Sequence, residues 1–218
     1  MSEMLNQIQS LPGLIREQVP ILDMRVRAAF THAELLSIKE IVLTGCGDSY
    51  FAGMAARHFF QRVCNIPTRA LPAFEAARYD LADYKSPFPR NPLVIATSVT
   101  GKVVRSVEAI SIAREQNGLT LGITGHLQAP LAQASDKTID CTLPLMARCP
   151  GVRSYCMSLL VMYLLGIHLA EVKGILSQRE SGQMRARLSH TANQLEDTLR
   201  QSQPKAQELA GIFKDVQY

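Results

Sequence analysis

Five short apolar runs separated by helical stretches constrain this chain more than any other feature. The first, Ile41-Val-Leu-Thr-Gly45, ends on glycine in the manner of a buried parallel strand. A helical stretch from Tyr50 to about Cys64 follows, and its small residues Ala52, Gly53, Ala55 and Ala56 permit close packing. Thr68-Arg-Ala-Leu71 reads as a second strand and Phe74 to Tyr79 as a short helix. Tyr84 to Pro92 holds three prolines and reads as a loop. Leu93 to Thr97 is the third strand, with Val103 to Gln116 as its helix. Leu119 to Thr124 is the fourth, Leu131 to Ala134 a short helix, and Thr138 to Leu143 the fifth strand. A long apolar helix covers about Ser154 to Glu171.

Strands alternating with helices imply right-handed βαβ units. The expected fold is α/β: a doubly wound, five-stranded parallel sheet of flavodoxin-like order 2-1-3-4-5, with extra N- and C-terminal helices. The first forty residues read as two helices punctuated by Pro12 and Pro20. From Arg179 the chain turns polar and helical, and Pro204 is expected to start a last helix. This divides the chain into leading helices (1–36), the α/β domain (37–176) and a helical segment (177–218).

In a 2-1-3-4-5 sheet, ligands bind beyond the carboxyl ends of strands 1 and 3, where the order reverses. The loops at those two ends are Gly45-Cys-Gly-Asp-Ser49 and Thr97-Ser-Val-Thr-Gly101-Lys102, the richest strand ends in Gly, Ser and Thr. Glycine lets backbone approach a ligand, and Ser49, Ser98 and Thr100 put hydroxyls beside helix N-termini, which favour anions. Lys102 adds a possible charge-assisted contact. The candidate ligand set is therefore Gly47, Asp48, Ser49, Ser98, Val99, Thr100, Gly101 and Lys102. The competing reading is that these polar residues only cap helices. Neither the dinucleotide fingerprint nor the P-loop pattern is present, so no cofactor is expected, neither NAD nor ATP.

Other classes are disfavoured by composition. The net charge is +4 with 23 Lys and Arg against 19 Asp and Glu, scattered along the chain, so no nucleic-acid partner is expected. No apolar run in the sequence reaches the roughly 18 residues of a membrane span. The start, MSEMLNQIQS, lacks the pattern of a secretory signal. Five cysteines (Cys46, Cys64, Cys141, Cys149, Cys156) with no C-x-x-C pair favour neither a disulfide framework nor a metal site. Most of them sit in apolar stretches and read as small buried hydrophobes in a reducing cytoplasm.

The order Gly-Cys-Gly-x-Ser-Tyr-x-x-Gly, then Ile66-Pro67, then Ser-x-Thr-Gly resembles the SIS (sugar isomerase) family, above all the isomerase half of glutamine–fructose-6-phosphate aminotransferases. The likeness runs from Met4 to about Gly174. In that family the first-strand loop and a Ser-Gln-Ser-Gly-Glu-Thr loop clasp a sugar phosphate, which implies a phosphosugar ligand here. Several positions depart: Asp48 stands where Thr is common, Val99 for Gln, Lys102 for Glu and Val103 for Thr. Pro150-Gly-Val-Arg-Ser154 resembles the family's Glu-Ile-Gly-Val-Ala-Ser-Thr-Lys, with Cys149 near its Glu and Cys156 near its Lys.

The family's catalytic Glu and His lie in a second repeat or its neighbour, and the resemblance implies that 177–218 leads toward such a repeat. Within this chain Glu75 and His126 are the candidates near the switch point, each weighed against a plain surface role. His58 reads as packing, and His32, His168 and His190 are assigned nothing. Arg148 and Arg153 read as ligand contacts or solvated charges. Three functions compete: an isomerase or deglycase-like enzyme subunit, a non-catalytic phosphosugar sensor, and an interaction module with a decayed pocket. The long helix, apolar nearly all round, must be covered by the flanking helices or by another chain, so a homodimer is expected.

Overall fold

Alternate residues of the central strands enter two different cores, and that period of two is what makes the sheet the middle layer. The computed structural model describes residues 2–147, 149, 151–214 and 216. The sheet comprises β1 (Ile41–Gly45), β2 (Thr68–Pro72), β3 (Arg90–Thr97), β4 (Gly118–Thr124) and β5 (Lys137–Asp140), all parallel, in the order β2-β1-β3-β4-β5. Ile41, Leu43, Leu93, Ile95, Leu119 and Leu121 join the larger core. It is completed by α1 (Glu3–Ala29), α3 (Asp48–Cys64) and α7 (Val152–Val172). Val42, Val94 and Ala96 face the smaller core under α5 (Val104–Glu115). The doubly wound fold expected from the sequence is present.

The register pairs Gly45 with both Thr97 and Pro72, so β1 and β3 end level with each other. Both loops that follow therefore leave the sheet at one edge.

The prolines behave differently from expectation. Pro12 and Pro20 both lie inside the single helix α1. Burial of Leu11, Leu14, Ile15, Val19, Leu22 and Val26 outweighs the local cost of each proline. The break comes instead before α2 (His32–Ser37), where Thr31 and Glu34 form a capping box. Pro204 likewise lies inside α8 (Gln178–Phe213), at an exposed position where water can satisfy the carbonyl that its missing N–H leaves free. The fifth strand stops at Asp140 rather than Leu143, and Arg25 anchors it there through the Asp140 carbonyl (2.6 Å) and carboxylate (3.1 Å). The segment Phe74 to Tyr79 forms α4 (Ala73–Glu75) continued by a π-helical turn (Ala76–Asp80).

Helix α7 is long and apolar enough to cross a membrane by length and composition, which the sequence reading did not anticipate. Its place in the fold is the core: Met157, Val161, Met162, Leu164, Leu165, Ile167 and Leu169 are buried, packed among α1, α3 and α8. Of the covers expected for this helix, the leading and C-terminal helices α1 and α8 are in place, together with α3.

An ion-pair network locks those helices together. Arg185 on α8 bonds Asp23 of α1 (2.8 Å) and Glu171 of α7 (2.6 Å), and Arg27 reaches Glu171 at 3.2 Å. Burial alone would raise the Glu171 carboxyl, but the hydrogen bond and charge of Arg185, with Arg27 and His168, hold it below its ordinary 4.5. A depressed carboxyl stabilises the fold above its unfolded value and loses that contribution as pH falls through the folded one. Glu171→Gln should therefore lower stability by up to about 1 kcal/mol at neutral pH. The difference from wild type should shrink as pH falls below about 4.5. Urea midpoints at both pH values check this; a pH-independent difference contradicts it.

Candidate functional site

Of the helices that begin at the sheet's carboxyl edge, three start around one point, and none of the three carries a side-chain cap. Gly47 precedes α3, Val103 precedes α5 and Gly151 precedes α7, in each case with no side-chain hydrogen bond to the helix start. The peripheral helices α1, α2 and α8 are each capped by a hydroxyl, from Ser2, Thr31 and Ser177. Reading Asp48, Ser49, Ser98 and Thr100 as caps thus does not describe this edge. The uncapped starts leave backbone N–H groups and positive dipole ends without side-chain partners.

All three starts line one cavity of about 360 Å³. Its wall contains Asp48 and Ser49 from α3, Thr97 to Thr100 and Val103 from the β3–α5 loop, and Gly151, Ser154, Tyr155 and Ser158 from α7. Cys46 and Cys149 complete it. Ser98 is 2% exposed, and its Oγ has no hydrogen-bond partner among the described residues. An orphaned hydroxyl in the wall of an open cavity is a group waiting for a ligand or water.

Backbone geometry aims this wall. Gly45 must be glycine because a Cβ there would sit 2.8 Å from the Ser49 Cβ and 3.1 Å from the Thr97 carbonyl oxygen. That close approach is what seats the α3 start against β3. Gly101 has φ +63°, and its turn is closed by the Gly101 N–H donating to the Ser98 carbonyl (2.9 Å). The β4–α6 connection braces the same loop: Gly125 N–H donates to Val99 O, and Leu131 N–H to Gly101 O, both at 3.0 Å. Here α6 is Pro130–Ala134.

Of the residues singled out in the sequence, Asp48, Ser49, Ser98, Val99 and Thr100 meet in the cavity. Gly47 and Gly101 shape its loops at positive φ without lining it. Lys102 lies beyond the Gly101 turn, where it lines a separate depression with Thr100, His126 and Gln128. It is not among the lining residues that could offset Asp48. Glu75 is exposed on α4 and outside the cavity wall. Arg153 is outside the cavity wall and is not a solvated charge: it is 7% exposed and donates to the Pro144 carbonyl at 2.9 Å. Arg148 lies outside the described residues. The sequence reading missed Tyr155 and Ser158 as lining residues. Ser154 and Ser158, four apart in an otherwise apolar helix, were the available signal.

The family model of the SIS domain matches residues 34–167. The chain belongs to the SIS domain family. Among curated SIS relatives, the glutamine–fructose-6-phosphate aminotransferase [isomerizing] of Helicobacter pylori is 28% identical over 146 residues, covering 67% of this chain and 24% of its own length. The chain thus spans about a quarter of that relative. Among solved structures, the C-terminal domain of glucosamine-fructose-6-phosphate aminotransferase from Francisella tularensis superposes with a TM-score of 0.83 at 16% identity, over 99% of this chain and 60% of that one. A smaller Escherichia coli protein, solved in complex with a phosphosugar, gives a TM-score of 0.59 at 16% identity, over 83% of this chain and 94% of that one. At these identities the structures establish the SIS fold.

Proposed function

We propose that this chain is a phosphosugar-binding SIS domain, with the phosphate seated between Ser49 and the Ser98–Thr100 loop. The observation that carries the reading is the convergence of three uncapped helix starts and the unpartnered Ser98 Oγ on one cavity. The phosphosugar complex of the Escherichia coli protein with this fold supports the ligand class. The relation to aminotransferases and isomerases supports a place in sugar-phosphate isomerisation or amination. Five free thiols suit the reducing cytoplasm in which we place it. Calorimetric titration with fructose 6-phosphate tests the binding, and absence of heat at millimolar ligand would overturn it.

A second reading, a phosphosugar sensor without turnover, is favoured by one specific observation. Neither Glu75 nor His126 reaches the cavity wall, while proton transfer between adjacent carbons needs a base within hydrogen-bond reach. These 218 residues alone are therefore expected to show no isomerisation of fructose 6-phosphate in a coupled assay. Robust turnover by the purified chain would reject the sensor reading and direct attention to Asp48 as the base.

A further inference from the structure

The cavity has one ionisable feature that its phosphate-binding side does not account for. Asp48 is the only Asp, Glu, Lys, Arg or His among the described residues of the wall. Its carboxylate has no hydrogen bond or ion pair with any described residue, although the side chain is placed at a definite point. A Cβ built on Gly151 would meet Asp48 Oδ2 and Ser154 Oγ, each at 3.0 Å. The carboxylate thus stands against the start of α7 while belonging to the first turn of α3, and both positive helix ends favour a negative charge there.

The orphaned Ser98 hydroxyl and the uncapped start of α5 lie on the β3 side of the same cavity. The site is therefore bipolar: one side offers donors to an anion, and the other offers an unpaired acceptor that repels one. A phosphate would settle on the β3 side. The remainder of the ligand is then held beside a carboxylate with no cation of the described wall to neutralise it.

We propose that Asp48 makes this site select phosphosugars carrying a protonated amine over their neutral hydroxyl counterparts. The inference rests on the phosphosugar reading above and adds the group at the far end of the ligand. An ammonium donates to Asp48 in a charge-assisted hydrogen bond and relieves the repulsion between carboxylate and phosphate. A hydroxyl donates as well, but carries no charge to relieve it.

Calorimetry with glucosamine 6-phosphate and glucose 6-phosphate, at equal pH and ionic strength, tests the proposal. Wild-type protein should bind the amine about tenfold more tightly, the scale of one charge-assisted bond over a neutral one. Asp48→Asn should erase the preference, weakening the amine and, with the repulsion gone, tightening the neutral sugar, with Asp48→Ser as a second variant should the first fold poorly. Equal wild-type affinities would overturn this inference and leave phosphosugar binding standing. A preference that persists in the folded variants would remove Asp48 as its cause. Binding of neither ligand at millimolar concentration would overturn both readings together.

Discussion

Ser98→Ala combined with Thr100→Ala should weaken sugar-phosphate binding by about 2 kcal/mol, a factor of roughly 30, counting one ordinary hydrogen bond for each hydroxyl. What distinguishes this from a structural effect is the state of the two hydroxyls in the free protein. Ser98 Oγ has no partner among the described residues, so alanine removes a buried unsatisfied group and costs the fold none of the bonds seen. Thr100 Oγ1 accepts only a long bond from the Lys102 N–H, 3.3 Å. Thermal or urea stability should accordingly stay within about 0.5 kcal/mol of wild type while affinity falls. Undiminished affinity in calorimetry would end the assignment of the phosphate to this loop. Equal losses of affinity and stability would show that the hydroxyls serve the fold.

Gly101→Ala should have the larger effect on the fold, a loss of about 3 kcal/mol in urea denaturation. Two causes add. The backbone sits at φ +63°, which costs a residue with a Cβ about 1 kcal/mol. The new Cβ would also lie 2.5 Å from the Ala129 Cβ and 2.8 Å from Thr124 Oγ1, and overpacking of this kind costs about 2 kcal/mol. Ala129 has no flexible end that could move aside. Thr124 is itself engaged, accepting from the His126 N–H at 3.2 Å. The strain falls on the loop that presents Ser98 and Thr100, so binding should weaken as well. A variant within about 0.5 kcal/mol of wild type would show that the β4–α6 brace yields easily.

The sheet was legible because its signals are local and repeated. Each central strand is an apolar run closed by turn chemistry, and five strands joined by right-handed βαβ units suit the doubly wound order 2-1-3-4-5. The switch-point loops were legible for the same reason, since Gly45, Gly47 and Gly101 mark places where the backbone must approach or turn. The prolines misled because proline reports a local cost, whereas α1 is held by the long-range burial of one entire face. Lys102 was grouped with its neighbours by sequence position. The left-handed turn at Gly101, which separates it from them, is a property of backbone geometry. The α7 contribution was only half visible. Ser154 follows a Pro-Gly pair, but Tyr155 and Ser158 join the wall through the way α7 crosses the sheet, and spacing within the helix does not encode that crossing.

A crystal grown with fructose 6-phosphate tests the central claim most directly. The phosphate is expected between Ser49 and the Ser98–Thr100 loop, against the uncapped start of α5, with the sugar extending toward Asp48 and Ser154. Ligand density elsewhere, with the Ser49 and Ser98–Thr100 loops closed on each other, would contradict it.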